Sequence, residues 1–137
     1  MTCVAAAGSP YLGMIWIPGG TFRMGSDRHY PEEAPVHRVT VDGFWIDRTP
    51  VTNRQFKAFV DAGGYSMREY WREPFTSGGR TLTWEAGSAR LRDATGQPGP
   101  ATWEMSAYPK GQDDYPVTGV SWFEALAYAA WSGTALP

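Results

Sequence analysis

From Met14 onward the chain alternates between short apolar runs and polar breaks, and the period of the pattern changes along it. Met14-Ile15-Trp16-Ile17 is a continuous apolar run closed by Pro18-Gly19-Gly20, and Thr21-Phe22-Arg23-Met24-Gly25 follows with alternating character. These two runs predict two strands joined by a tight glycine-rich turn. Ser26 to Pro35 is polar and reads as a loop. Val36 to Val41 alternates cleanly, with Val36, Arg38 and Thr40 on one face and His37, Val39 and Val41 on the other. Asp42-Gly43 marks a turn, and Phe44-Trp45-Ile46 opens a further strand.

After Pro50 the period lengthens to that of a helix. Thr52-Asn53-Arg54-Gln55 fits a capping box, in which the threonine hydroxyl accepts from the Gln55 amide and the glutamine side chain reaches back. Phe56, Phe59 and Val60 follow at helical spacing and Gly63-Gly64 stops the run, which predicts a helix near 53–62. Near the end, Ser121-Trp122-Phe123-Glu124 is a second capping box, with Trp122, Ala125, Leu126 and Ala129 as the expected stripe and Gly133 as the stop. Between them, from Tyr65 to Tyr115, no period is sustained. Structureless segments of that length are uncommon in compact domains. Trp71, Trp84 and Trp103 argue for short ordered pieces anchored by large rings, with Arg80 to Trp84 as a candidate strand.

Composition supports that picture. The 137 residues are 42% hydrophobic and 15% aromatic, with 16 glycines and 11 prolines, which suits irregular backbone pinned by flat side chains. The formal net charge is −2 and the basic residues are scattered, so neither nucleic acid nor an anionic membrane is drawn by field alone. No run is long enough to span a membrane. Cys3 is the one cysteine, so no intrachain disulfide and no multi-thiolate metal site forms within the sequence. Residues 1–13 read as an N-terminal tail without the features of a signal sequence, and the location expected is cytoplasmic.

The candidate chemistry is sparse. His29 and His37 lie without a ligand cluster of metal-site spacing, and read as a loop residue and a strand residue. Asp113-Asp114 and Glu32-Glu33 are adjacent acids, and calcium needs six or more converging oxygens. No nucleophile elbow and no phosphate loop occurs. Tyr70, Trp71, Trp84 and Trp103 have two readings: they line a groove for an extended peptide, or they pin irregular backbone to the core.

The motifs taken together resemble the N-terminal half of the sulfatase-modifying-factor (formylglycine-generating enzyme) family. They are Ile17-Pro18-Gly19-Gly20-Thr21-Phe22-Arg23-Met24-Gly25-Ser26, Glu32 through Val39, Phe44-Trp45-Ile46-Asp47, Val51 through Phe56 with Phe59-Val60, and Pro116-Val117 through Ala125 to Tyr128 and Trp131. The resemblance implies an α+β, irregular, C-type-lectin-like fold, incomplete here, with few short strands and two short helices, residues 14–137 forming its N-terminal portion. It implies full-length relatives that oxidise a cysteine of a client sulfatase to formylglycine, with copper held by two thiolates, and that also hold calcium. The family continues beyond Leu136-Pro137 with the half that carries those ligands, and Ala129 and Thr134-Ala135 depart from its usual residues. The expectation is a truncated, formylglycine-generating-enzyme-like chain with no catalytic residues and no cofactor of its own, inactive alone, its partner a peptide or protein client or a missing C-terminal half. The alternative is a non-catalytic peptide- or ligand-binding module on the same scaffold.

Overall fold

A computed structural model describes Val4–Ala5 and residues 13–137. The chain divides into two compact units, Ala5–Arg48 and Thr49–Pro137.

The first unit is built on β2 (Met14–Ile17), β3 (Gly20–Met24), β4 (His37–Val41) and β5 (Phe44–Asp47). The expected hairpin between the first two strands is not what forms. β2 pairs antiparallel with β5, from Met14↔Asp47 to Ile17↔Phe44, and β3 pairs with β4, from Gly20↔Val41 to Met24↔His37. The register runs on from one pair into the other with no residue gained or lost. The two pairs are successive stretches of one antiparallel ribbon, with the ladder interrupted where Pro18-Gly19 faces Asp42-Gly43. Glycine is what allows the close approach there: a Cβ on Gly19 would stand 2.7 Å from the Gly43 nitrogen, and one on Gly43 would meet the Trp16 ring at 2.3 Å. The short strand β1 (Val4–Ala5), inside the segment read as a tail, lies beside β5 in the order β1-β5-β2. The alternation read for residues 36–41 holds, since Arg38 and Thr40 face Arg23 and Thr21 while Val39 and Val41 face Phe22 and Gly20.

In the second unit the two capped helices form where expected. Helix α1 (Asn53–Asp61) has both halves of its Thr52–Gln55 capping box, and Gly63 beyond it is left-handed. A short helix α2 (Trp84–Ser88) begins at Thr83, whose hydroxyl accepts from the Ala86 amide. The strand expected over residues 80–84 forms only at Arg80–Thr81, as β7, which pairs with β6 (Thr76–Ser77); α2 takes over from Trp84, and three α-helices stand where two were expected. Helix α3 (Trp122–Ser132) has its Ser121–Glu124 capping box and ends at left-handed Gly133. Its buried face is rotated from the expected stripe: Glu124, Ala125, Ala127, Tyr128 and Ala129 are buried, while Trp122 is 58% exposed. The cause is Tyr128, whose ring stacks on Phe56 of α1 at 5.3 Å between centroids.

The core of this unit is mainly aromatic, with Val51, Val117, Ala127 and Ala129 filling between the rings. Ring contacts run from Trp103 to Phe56, on to Phe59 and Tyr65, and from Tyr65 to Trp71, Phe75 and Phe123. Two glycines make room for it, because a Cβ on Gly64 would fall 2.0 Å from the Phe59 ring and one on Gly87 2.0 Å from the Phe75 ring. The polar tips are satisfied as well. The indole N–H of Trp71 donates to the Gly64 carbonyl at 2.9 Å, and that of Trp103 to Oδ1 of Asn53 at 3.3 Å. Ring packing and these bonds replace long regular elements across residues 65–115.

Candidate substrate-binding trough

Three neighbouring cavities of about 280, 230 and 200 Å3 open on the second unit. Arg72 and Glu73 form a wall common to the first two, and Trp84 a wall common to the last two. The first is floored by Leu126, Ala129 and Ala130 of α3 with Tyr70 at its side. The second lies over Trp71, Phe75 and Trp84, with Arg68 above the Trp84 ring at 5.9 Å from its centroid. The third contains Tyr65, Arg92 and Pro98. The series has an aliphatic floor in the first cavity and an aromatic one in the second, with arginines among the lining residues, an arrangement suited to an extended segment rather than a compact ligand.

Each residue singled out in the sequence has a defined place. Tyr70 and Trp84 are half-buried and reach cavity walls. Trp71 touches Trp84, with 5.9 Å between centroids, but is 8% exposed and its N–H is already committed to Gly64. Trp103 lies apart, 1% exposed beside Asn53 in a separate cavity of about 270 Å3. The structure therefore brings Tyr70, Trp71 and Trp84 to one trough and sets Trp103 elsewhere. Arg68, Arg72, Glu73 and Arg92 complete the trough. Nothing in their spacing separated them from the scattered charges of the chain, apart from Arg68 and Arg72 flanking Tyr70-Trp71.

The acids considered for calcium are engaged otherwise. Asp113 and Asp114 lie 3.8 and 3.3 Å from the Arg54 guanidinium, and Asp113 accepts from the Tyr108 hydroxyl at 3.1 Å. Glu32 and Glu33 sit on a 3-10 turn. No three His, Cys, Asp or Glu side chains among the described residues converge as a metal site. Cys3, outside the described residues, is the one thiol of the sequence, so a copper held by two thiolates does not find its ligand pair in these 137 residues. No described helix is long and apolar enough to cross a membrane.

A buried carboxylate does structural work on the segment bonded to Trp103, where the Ala94 N–H donates to the Trp103 carbonyl at 2.9 Å. Asp93 is 6% exposed and accepts from the backbone of Thr95, Gln97 and Ser106 and from the Thr95 hydroxyl. Burial pushes its pKa up, but those bonds outweigh it and hold the carboxyl at about 2. With them it fixes the turn at Met105-Ser106, where two non-glycine residues take φ of 53° and 57°.

The family profile described as "Sulfatase-modifying factor enzyme 1-like domain" matches residues 3–137. The chain belongs to the sulfatase-modifying factor family. A formylglycine-generating enzyme of Mycobacterium tuberculosis is 40% identical over 90% of this chain and 48% of its own length. One from Thermomonospora curvata is 40% identical over 91% of the chain and 45% of its own. A protein named serine/threonine-protein kinase Pkn1 from Chlamydia trachomatis is 36% identical over 90% of the chain and 17% of its own. This sulfatase-modifying-factor chain thus spans less than half the length of the curated relatives it matches.

Proposed function

We propose that these residues are the client-recognition portion of a formylglycine-generating-enzyme-like domain, on the lectin-like scaffold implied for the family. The trough holds an extended, cysteine-bearing segment of a sulfatase. The observation that carries this is the shared-wall series of cavities, with Trp84 under Arg68, and Tyr70 and Arg72 lining the neighbouring cavity. An extended backbone leaves its own polar groups free to bond to the rim, and side chains that alternate along it can enter separate cavities. Half-buried aromatic faces contribute contact area at low entropic cost. Glu73 beside Arg68 and Arg72 keeps the rim mixed in charge, which suits a segment carrying residues of both signs.

The chain's own role here is to bind and orient. The thiolate pair for copper is absent from its sequence, so the oxidation step is assigned to no residue of this chain, and the 137 residues alone are expected to bind client without turning it over.

A binding module without chemistry is the second reading. It is favoured by the match to a kinase-named protein of which the segment makes up 17%, and by a sequence with one cysteine, which cannot supply a thiolate pair.

The two readings separate on a pair of measurements with the purified chain. The first predicts saturable binding of a peptide copied from a sulfatase modification site, lost when the peptide is scrambled. The second predicts equal binding of both peptides, or of neither. Binding of the native and scrambled peptides with equal affinity would overturn the first reading.

A further inference from the structure

A cavity of about 440 Å3 lies in the Ala5–Arg48 unit, lined by Arg23, Gly25, Ser26, Asp27, Arg28 and Val36. We propose that it binds a multiply charged oxyanion of the phosphate or sulfate class. The argument rests on residues of this unit alone and is independent of the trough.

Charge is the first ground. Arg23 stands directly opposite Arg38 in the β3–β4 register. Facing residues of an antiparallel pair share one face with Cβ atoms about 5 Å apart, and like charges there repel. Among the described residues, neither arginine nor Arg28 has a carboxylate within ion-pair distance. The one acid lining the cavity, Asp27, accepts the Val36 backbone N–H through Oδ1 at 2.9 Å. Arg23 and Arg28 line the cavity and Arg38 stands beside Arg23, against the one carboxylate of Asp27, an excess of two positive charges that a dianion would cancel and a monoanion would leave in part.

Construction is the second. The wall is backbone, closed by Ser26 N–H donating to the Glu33 carbonyl at 3.1 Å. Gly25 has φ +83°, and a Cβ there would fall 2.3 Å from that same carbonyl oxygen, so only glycine lets the loop close. The Ser26 hydroxyl oxygen accepts from the Arg28 N–H at 3.1 Å, which leaves its own proton available to a ligand in the cavity it lines. Guanidinium forks present paired donors at the spacing of two oxygens on a tetrahedral anion. Paired forks, one hydroxyl donor and a wall too tight for a side chain together describe an oxyanion seat.

The test is a titration of the full chain with inorganic phosphate, with phosphoserine and with acetate, at constant ionic strength set with sodium chloride. It is read on the backbone amides of Gly25, Ser26, Arg28 and Val36 by nitrogen-15 NMR. The expected result is saturable shifts at those amides with phosphate or phosphoserine, and at least tenfold weaker binding of acetate. Tighter phosphoserine identifies a group carried on a larger ligand; tighter inorganic phosphate identifies the free ion. Arg23→Gln combined with Arg28→Gln is expected to weaken binding at least tenfold, with the amides of α1 unchanged. If that double variant loses its fold, Arg38→Gln alone is expected to weaken binding at least threefold. Linear, unsaturating shifts, acetate binding equal to phosphate, or variants that bind as well as the parent would overturn the proposal.

Discussion

The hydroxyl of Tyr65 donates to Oε1 of Glu124 at 2.6 Å, while Oε2 of the same carboxylate accepts the Ser121 backbone N–H at 2.6 Å. One buried side chain therefore closes the first turn of α3 and ties that helix to the segment leaving α1. Glu124 is 3% exposed, so both oxygens depend on these partners. Burial, and then the charge of Glu124, push the Tyr65 phenol far above its ordinary range, which keeps it a donor at any pH the fold survives.

Removing the donor alone isolates the effect. Tyr65→Phe keeps the ring contacts with Phe59 and Trp71 but leaves Oε1 of Glu124 without that bond. The expected loss is about 1–3 kcal/mol, seen as a lower midpoint in urea with an unchanged slope. A midpoint equal to that of the parent would show that the carboxylate finds another partner.

Asp93 sets a pH dependence whose sign follows from its depressed pKa. The folded value is about 2 against an ordinary 3.8, so the unfolded chain takes up a proton first as pH falls. The contribution is fully present above about pH 4 and is lost between there and about 2. Asp93→Asn is expected to destabilise the chain at pH 7 and to flatten the fall in melting temperature between pH 4 and 2.5. A parallel fall in both proteins would remove Asp93 as its source.

Gly87 offers a test in which two effects oppose each other. Inside a helix, glycine to alanine ordinarily stabilises by up to about 1 kcal/mol. Here the added methyl would land 2.0 Å from the Phe75 ring, and overpacking costs about 1–3 kcal/mol. Gly87→Ala is therefore expected to destabilise, and a stabilised variant would mean that the Phe75 ring moves freely. Gly64→Ala, with its methyl 2.0 Å from Phe59, is expected to be at least as damaging.

The parts of this fold that were legible in the sequence are those that local chemistry decides. Thr52 with Gln55 and Ser121 with Glu124 announced both capped helices, and Gly63 and Gly133 their ends. Pairing partners were not legible. Pro18-Gly19-Gly20 looks like a hairpin turn, but it interrupts a strand run whose partner lies beyond a loop, and Gly19 and Gly43 show their purpose only when the two strands meet. The α3 face was misplaced because Tyr128 and Glu124 are polar by type, and only stacking on Phe56 and bonding to Tyr65 bury them. Within the trough, the aromatic residues were visible as a class. The separation of Trp103 from Trp84 was not, since it depends on Asn53, whose side chain receives one indole N–H and donates to the Gln112 carbonyl.

The account depends most on the trough. Fluorescence anisotropy of a labelled sulfatase-site peptide, titrated with the parent chain, Arg68→Gln, Arg72→Gln and Trp84→Phe, addresses it directly. All three substitutions keep or replace groups at the cavity walls without opening the core. The predicted result is saturable binding by the parent, with each arginine variant weaker by about threefold to tenfold, the worth of roughly 0.7–1.4 kcal/mol, and the melting temperatures preserved. Equal affinity across all four folded proteins would contradict the account.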